Sequence, residues 1–235
     1  MGTTSAIQDL LVIAHRGGGD LFPENTIRAF TGAEKMGCDA VECDVHLTKD
    51  GKPVVIHDPD LNRVAGINRR IVDLDMAEVS LIRTKSGDHI PTLDEVLDSI
   101  SIPVVIELKS RETASVMAEL FRENPAVLDR CIVISFYHEI LLRLKNSFSK
   151  LSSGALLAGF PVDPVSVARS CGSQTLSFNH EGINGDYVEK CHRENVKVSV
   201  WTPNTEQDIE LCINAGVDSI ASDRPDIVLR LLGGK

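Results

Sequence analysis

The residues able to do chemistry together are His15, Arg16, Glu42, Asp44, His57, Glu107 and Lys109. Three of them, Glu42, Asp44 and His57, fall on one stretch, Glu42 to His57, which reads E-C-D-V-H-L-T-K-D-G-K-P-V-V-I-H. Side chains in a strand alternate between faces, so Glu42 and Asp44 point the same way and Cys43 points the other. Asp50-Gly51 between two apolar runs is a hairpin signal, and folding about Lys49-Asp50-Gly51 sets Glu42 nearly opposite His57. Glu107 interrupts the apolar run V-V-I-E-L-K, where a carboxylate is tolerated only if it is paired, hydrogen-bonded or metal-bound. Together Glu42, Asp44 and Glu107 would raise one another's pKa unless a cation sat among them. Oxygen-only ligands suit Mg²⁺, Ca²⁺ or Mn²⁺ rather than zinc. For a single carboxylate the simpler reading is an ion pair, for instance Glu107 with Lys109 or Arg16; for three at strand ends a metal site is favoured.

His15 and His57, placed beside that cluster, have the chemistry of a general acid and base near neutral pH. Arg16 and Lys109 suit an anion, the first as a bidentate clamp and the second as a point charge. Trp201 either fills the core or walls a substrate pocket. His46 shares the face of Glu42 and Asp44 but lies one strand step beyond, which reads as a solvent-facing position or a hairpin contact. His89, His138, His180 and His192 are given no role. Glu24 and Asn25 shape the first loop.

The elements that must position these residues alternate along the chain. A strand from Leu10 empties into a flexible loop at His15 to Gly19, and a helix capped by Asn25 or Thr26 ends near Gly37. The hairpin follows, then a weak helix near Ala77 to Ile82 and a capping box at Thr92 and Glu95. From there strands beginning at Pro103, Cys131, Gly154, Thr175, Val198 and Ser219 alternate with helices. With the strands at Leu10 and Ala40, this is the count of an α/β fold of the (β/α)₈ TIM-like barrel type, with a β-hairpin excursion after the second strand. A doubly wound sheet is the alternative, but no G-x-G-x-x-G turn follows the first strand. In a barrel the active site gathers at the C-terminal ends of the strands, where the polar residues fall.

Composition narrows the class. A chain of 235 residues with 43% hydrophobic content can bury a sizeable core, and no linker divides it, so residues 1–235 read as a single domain. The formal net charge of −10 argues against a nucleic-acid or anionic-membrane partner, and a small-molecule substrate that is an anion must be attracted by local charge. The six cysteines have no C-x-x-C pair and read as free thiols of a reducing compartment. No apolar run approaches the roughly 18 residues of a membrane span, and the N-terminus lacks the order of a secretory signal, so a cytoplasmic location is expected. Oligomeric state is not legible.

The motifs resemble those of the glycerophosphodiester phosphodiesterase family. The resemblance rests on Ile13-Ala14-His15-Arg16-Gly17, Pro23-Glu24-Asn25-Thr26, Val41-Glu42-Cys43-Asp44-Val45, Val55-Ile56-His57-Asp58, Ile106-Glu107-Leu108-Lys109, Val200-Trp201-Thr202 and Ser222-Asp223-Arg224-Pro225. It implies hydrolysis of glycerophosphodiesters to glycerol 3-phosphate and an alcohol with a divalent cation. Carried onto these positions, His15 and His57 are the acid and base pair, Glu42, Asp44 and Glu107 the metal ligands, and Arg16 and Lys109 the phosphate holders. Lysophospholipase-type activity and a non-catalytic phospholigand-binding barrel are the competing readings.

Overall fold

A computed structural model of the chain describes residues 10–233. The N-terminal stretch read above for a targeting signal lies outside the described residues. Strands β1 (Leu11–Ala14), β2 (Ala40–Leu47), β4 (Val104–Leu108), β5 (Cys131–Ser135), β6 (Ser152–Leu157), β7 (Thr175–Asn179), β8 (Lys197–Trp201) and β9 (Ser219–Ser222) pair in parallel, and β1 closes the circle by pairing with both β9 and β2. β3 (Pro53–Val55) runs antiparallel to β2 outside the barrel. The helices are α1 (Ile27–Met36), α2 (Asn62–Ala65), α3 (Met76–Leu81), α4 (Leu93–Ser99), α5 (Thr113–Glu123), α6 (Pro125–Leu128), α7 (His138–Ser147), α8 (Pro164–Cys171), α9 (Gly185–His192), α10 (Glu206–Ala215) and α11 (Pro225–Leu231). The expected barrel and its hairpin excursion are both present.

The strand sequences explain the layering. Outward positions such as Val12, Val41, Cys43, Val104, Ile106, Val133, Val198 and Ile220 pack under the helices in the main core. Each such Val or Ile contributes roughly 1.5–3 kcal/mol by leaving water. Inward positions Ile13, Ala40, Val105 and Ala221 form a separate small cluster with Ile132, Ile134 and Trp201. A third cluster, Val54, Ile56, Leu61, Ile71, Leu74, Val79 and Ile90, belongs to the excursion between β3 and α4. The capping box is formed, Thr92 accepting from the Glu95 N–H and Glu95 accepting from the Thr92 N–H. All six cysteines are buried and free.

Several details differ from expectation. The hairpin register pairs Val45 with Val55, and the Ile56 N–H reaches the Asp44 carbonyl, so His57 is level with Cys43 and one residue displaced from Glu42. β6 begins two residues before Gly154, at Ser152, and β8 at Lys197, because polar residues that read as loop occupy inward strand positions. The short helices α2 and α6 carried no readable periodicity.

The stretch expected as a flexible loop, His15 onward, opens instead as a 3₁₀ turn, His15–Gly17, with Arg16 at φ 51 and Gly17 at φ 83. Gly17 packs so close to α1 that a Cβ there would lie 2.6 Å from the Ala29 Cβ. Gly17→Ala combines a left-handed backbone with overpacking and should lower stability by about 2–4 kcal/mol. Denaturation midpoints in urea, compared with wild type, measure this loss; an unchanged midpoint would mean that the turn does not hold the geometry described.

Candidate active site

His15 and Arg16 follow β1, His57 follows β3 and Lys109 follows β4, while Glu42, Asp44 and Glu107 stand on β2 and β4; all but Asp44 line one cavity. Glu42 and Asp44 project inward from β2, Glu107 projects from β4, and one ligand oxygen from each falls within 4.8 Å of the others. Asp44 is fully buried and Glu42 nearly so. Burial, and then repulsion from Asp44, push the Glu42 carboxyl up to about 8. Burial alone would also raise Asp44, but the Lys109 ammonium and then Arg16 more than offset it and hold that carboxyl at about 2. Glu107 stays above the usual range because burial outweighs its neighbour Lys109.

The cations are in contact with this cluster. Lys109 Nζ lies 2.9 Å from Glu107 Oε1 and 3.1 Å from Asp44 Oδ1, and Arg16 Nε lies 3.5 Å from Asp44 Oδ2. The ion-pair reading of Glu107 with Lys109 is therefore realised, and it coexists with the carboxylate cluster. Two observations fit a divalent cation among the carboxylates. Asp44 Oδ1 is buried and, although near Lys109, accepts no hydrogen bond among the described residues. Among the described residues Glu42 has no Lys or Arg side chain paired with it and takes only the Arg16 backbone N–H at 2.9 Å, with His15 Nε2 at 3.9 Å. An all-carboxylate donor set of this kind suits Mg²⁺, Ca²⁺ or Mn²⁺.

Each histidine is fixed by a carboxylate that sequence reasoning passed over. His15 Nδ1 lies 2.7 Å from Asp223 Oδ1, beyond the end of β9, and Asp223 is held in turn by Asn204 Nδ2 at 2.8 Å. A carboxylate below its usual pKa is ionised and can only accept, so Nδ1 carries the proton and Nε2 faces Glu42. Burial works against the charged imidazole, but the Asp223 hydrogen bond and then the Glu42 charge prevail, leaving the His15 pKa raised. His57 Nδ1 lies 2.7 Å from Asp58 Oδ1, and Asp58 accepts from Arg63 Nε at 2.7 Å and Nη2 at 3.2 Å. The Arg63 bonds, and then that of His57, hold Asp58 at about 2. His46 Nε2 meets the His57 carbonyl at 2.9 Å, a hairpin contact and not the solvent-facing alternative.

Arg63 does more than pair with Asp58. Its Nη1 and Nη2 also donate to Glu24, and Glu24 Oε1 accepts from Arg16 Nη1 at 3.2 Å. One guanidinium in α2 thus ties the partner of His57 to the partner of Arg16. Asn25, at φ 55, gives its amide to Asp44 Oδ2 at 2.8 Å. The adjacency of Asp58 to His57 and of Asp223 to the last strand end were the available signals. Arg63 had none, because its role depends on where the excursion folds. Trp201 lines the cavity at the rim, in a T-shaped contact with Phe136 at 5.9 Å between centroids.

Arg63→Ala should leave the protein folded, since the side chain is 45% exposed, yet lower turnover by roughly 10–100-fold, the usual cost of losing a partner that orients a functional imidazole. Arg63→Lys should restore little, because one ammonium cannot bridge two carboxylates in the same plane. Equal turnover in all three proteins would remove Arg63 from the site.

Comparison with known proteins gives a consistent answer. The model of the glycerophosphoryl diester phosphodiesterase family matches residues 15–227. A glycerophosphodiester phosphodiesterase of Caldanaerobacter subterraneus subsp. tengcongensis is 34% identical over 94% of this chain and 97% of its own. The structure of an Oleispira antarctica phosphodiesterase in complex with the product sn-glycerol-3-phosphate is 25% identical and superposes with a TM-score of 0.88, covering 97% of this chain and 99% of that one. A Thermotoga maritima glycerophosphodiester phosphodiesterase is 27% identical with a TM-score of 0.81, over 94% of this chain and 98% of that one.

Proposed function

This chain belongs to the glycerophosphoryl diester phosphodiesterase family and is a phosphoric diester hydrolase, and from that premise we propose that it releases glycerol 3-phosphate and an alcohol by paired histidine catalysis with a divalent cation. The observation that carries the reading is the cluster of Glu42, Asp44 and Glu107, with His15 beside Glu42 and His57 lining the same cavity. Residues 1–235 act as one catalytic domain. Its place is the cytoplasm, in keeping with six free thiols. Among the described residues no helix is long and apolar enough to cross a membrane.

Arg16 and Lys109 bind the phosphodiester and draw its charge toward the rim. A phosphoryl group in transfer spreads negative charge over its equatorial oxygens, so fixed cations in a half-buried site stabilise it more than water would. Glu42, Asp44 and Glu107 would hold Mg²⁺, Ca²⁺ or Mn²⁺, which when bound adds charge neutralisation at the same oxygens. One imidazole removes the proton of the nucleophile, either water or the neighbouring glycerol hydroxyl, and the other delivers a proton to the leaving alkoxide; where the hydroxyl attacks, water then opens the resulting cyclic phosphate to glycerol 3-phosphate. Asp223 and Asp58 keep each ring in the tautomer with Nδ1 protonated, so Nε2 is the working nitrogen in both. Trp201 walls the side of the pocket away from the carboxylates.

Release of glycerol 3-phosphate from glycerophosphocholine should fall by at least about 100-fold in His15→Ala and in His57→Ala, the lower range for losing a general acid or base. Full activity in either variant would refute its assignment. A chelator should abolish turnover of the wild type.

The same carboxylates make stability depend on pH in the cation-free protein. The folded-state pKa of Glu42, about 8, lies above its ordinary 4.5, so the unfolded chain sheds this proton first as pH rises. Stability contributed by the protonated form is complete below about pH 4.5 and declines up to about pH 8. Melting temperature in chelator should therefore drop across that window, and added Mg²⁺, Ca²⁺ or Mn²⁺ should reverse most of the drop. Melting curves indifferent to the cation would make the cluster purely structural.

A further inference from the structure

Barrels of this kind are ordinarily filled by layers of bulky branched side chains, so the interior is a core and not a pore. Here the inward positions of three neighbouring strands are Ser177, Ser199 and Ser219, aligned in direct register from β7 through β8 to β9. A cavity of about 840 Å³ results, continuous from His15, Glu107 and Trp201 at the rim to Ser152 and Lys197 at the opposite end. Its size falls within the roughly 300–1,000 Å³ of small-molecule sites. Ser177, Ser199 and Ser219 are only 5%, 7% and 7% exposed, line this cavity, and among the described residues their hydroxyls have no protein partner. None of the three Oγ atoms is sealed off without a partner; they open onto the cavity, where they are set to meet water or a ligand.

We infer that the hollow barrel interior is a subsite for the alcohol portion of the diester, and that it takes a neutral polyhydroxylated alcohol: a glycerol, an inositol or a sugar headgroup. The inference rests on the diester-hydrolase reading, because the phosphate held by Arg16 and Lys109 is what brings the alcohol to the cavity's opening. Its two walls differ. The row of serine hydroxyls faces an aliphatic wall of Ile13, Ile132 and Ile134. A polyol matches both, giving hydroxyls to the serines and carbon faces to the isoleucines. An acyl chain would leave three hydroxyls unpaired along one side, which is costly. A choline cation would look for an aromatic cage or free carboxylates below the rim. The charges at the far end are Lys197, of the same sign, and Asp218, whose Oδ2 already accepts from the Val198 N–H at 2.7 Å and meets His192 Nε2 at 2.8 Å.

The experiment compares kcat/KM for glycerophosphoinositol and glycerophosphoglycerol with that for glycerophosphocholine, in wild type and in S177A/S199A/S219A. The ratio of either polyol diester to the choline diester should exceed one in wild type and fall by about tenfold or more in the triple variant, each lost hydroxyl being worth roughly three- to tenfold. Ser199→Ala alone, which changes one buried atom, should lower the ratio about threefold and serves if the triple variant folds poorly. A ratio that stays constant, whether the individual rates fall together or not at all, overturns the inference, since a structural role or an interior occupied by the common glycerol end would act on all three diesters alike. Wild type that hydrolyses none of them would instead defeat the underlying reading, and the subsite with it.

Discussion

A fully buried carboxylate, Asp44, is the constraint around which this barrel's rim is arranged. A charge removed from water must be compensated in place, or it neutralises or destabilises the fold. Lys109 reaches it from β4, Arg16 from the turn after β1, and Asn25 from the start of the next helix. Both loop residues do so from left-handed backbone, Arg16 at φ 51 and Asn25 at φ 55. Such conformations cost about 1–3 kcal/mol each and persist only where the surroundings over-determine them. The first loop is therefore shaped by a charge on the second strand, and the same charge collects the two cations that an anionic substrate needs.

The histidines are supported from opposite quarters. His15 is anchored within the barrel, through Asp223 after β9 and Asn204 after β8. His57 is anchored through the excursion, by Asp58 and Arg63, with its backbone held by His46. Two similar imidazole–carboxylate pairs thus have different mechanical backing. Glu24 joins them indirectly, since it takes both Arg63 and the Arg16 that precedes the glycine of the first turn.

Much of this was readable because local periodicity and strand alternation act over a few residues. Glu42 and Asp44 share a face for the reason stated from sequence, and the Thr92–Glu95 box forms as its spacing requires. Strand beginnings at Ser152 and Lys197 were missed because inward-facing polar residues imitate loop when the barrel is assumed to be packed. The turn at His15–Gly17 reads as a flexible loop because glycine signals freedom in sequence, whereas here close approach to Ala29 restricts it. Arg63 was invisible, since its partners Glu24 and Asp58 are brought to it only by the folded excursion. What escaped the sequence was long-range contact, not local chemistry.

The excursion carries its own apolar cluster, from Val54 to Ile90, distinct from the one beneath the barrel helices. A segment with a private core can open as a cooperative unit at less cost than global unfolding. Because α2 lies in that segment, partial melting would detach Arg63 and release one imidazole while the other remained clamped against β9. Thermal inactivation could then precede any collapse of the sheet, and the temperature limit on turnover would be set by thirty-odd residues outside the barrel wall rather than by the wall itself.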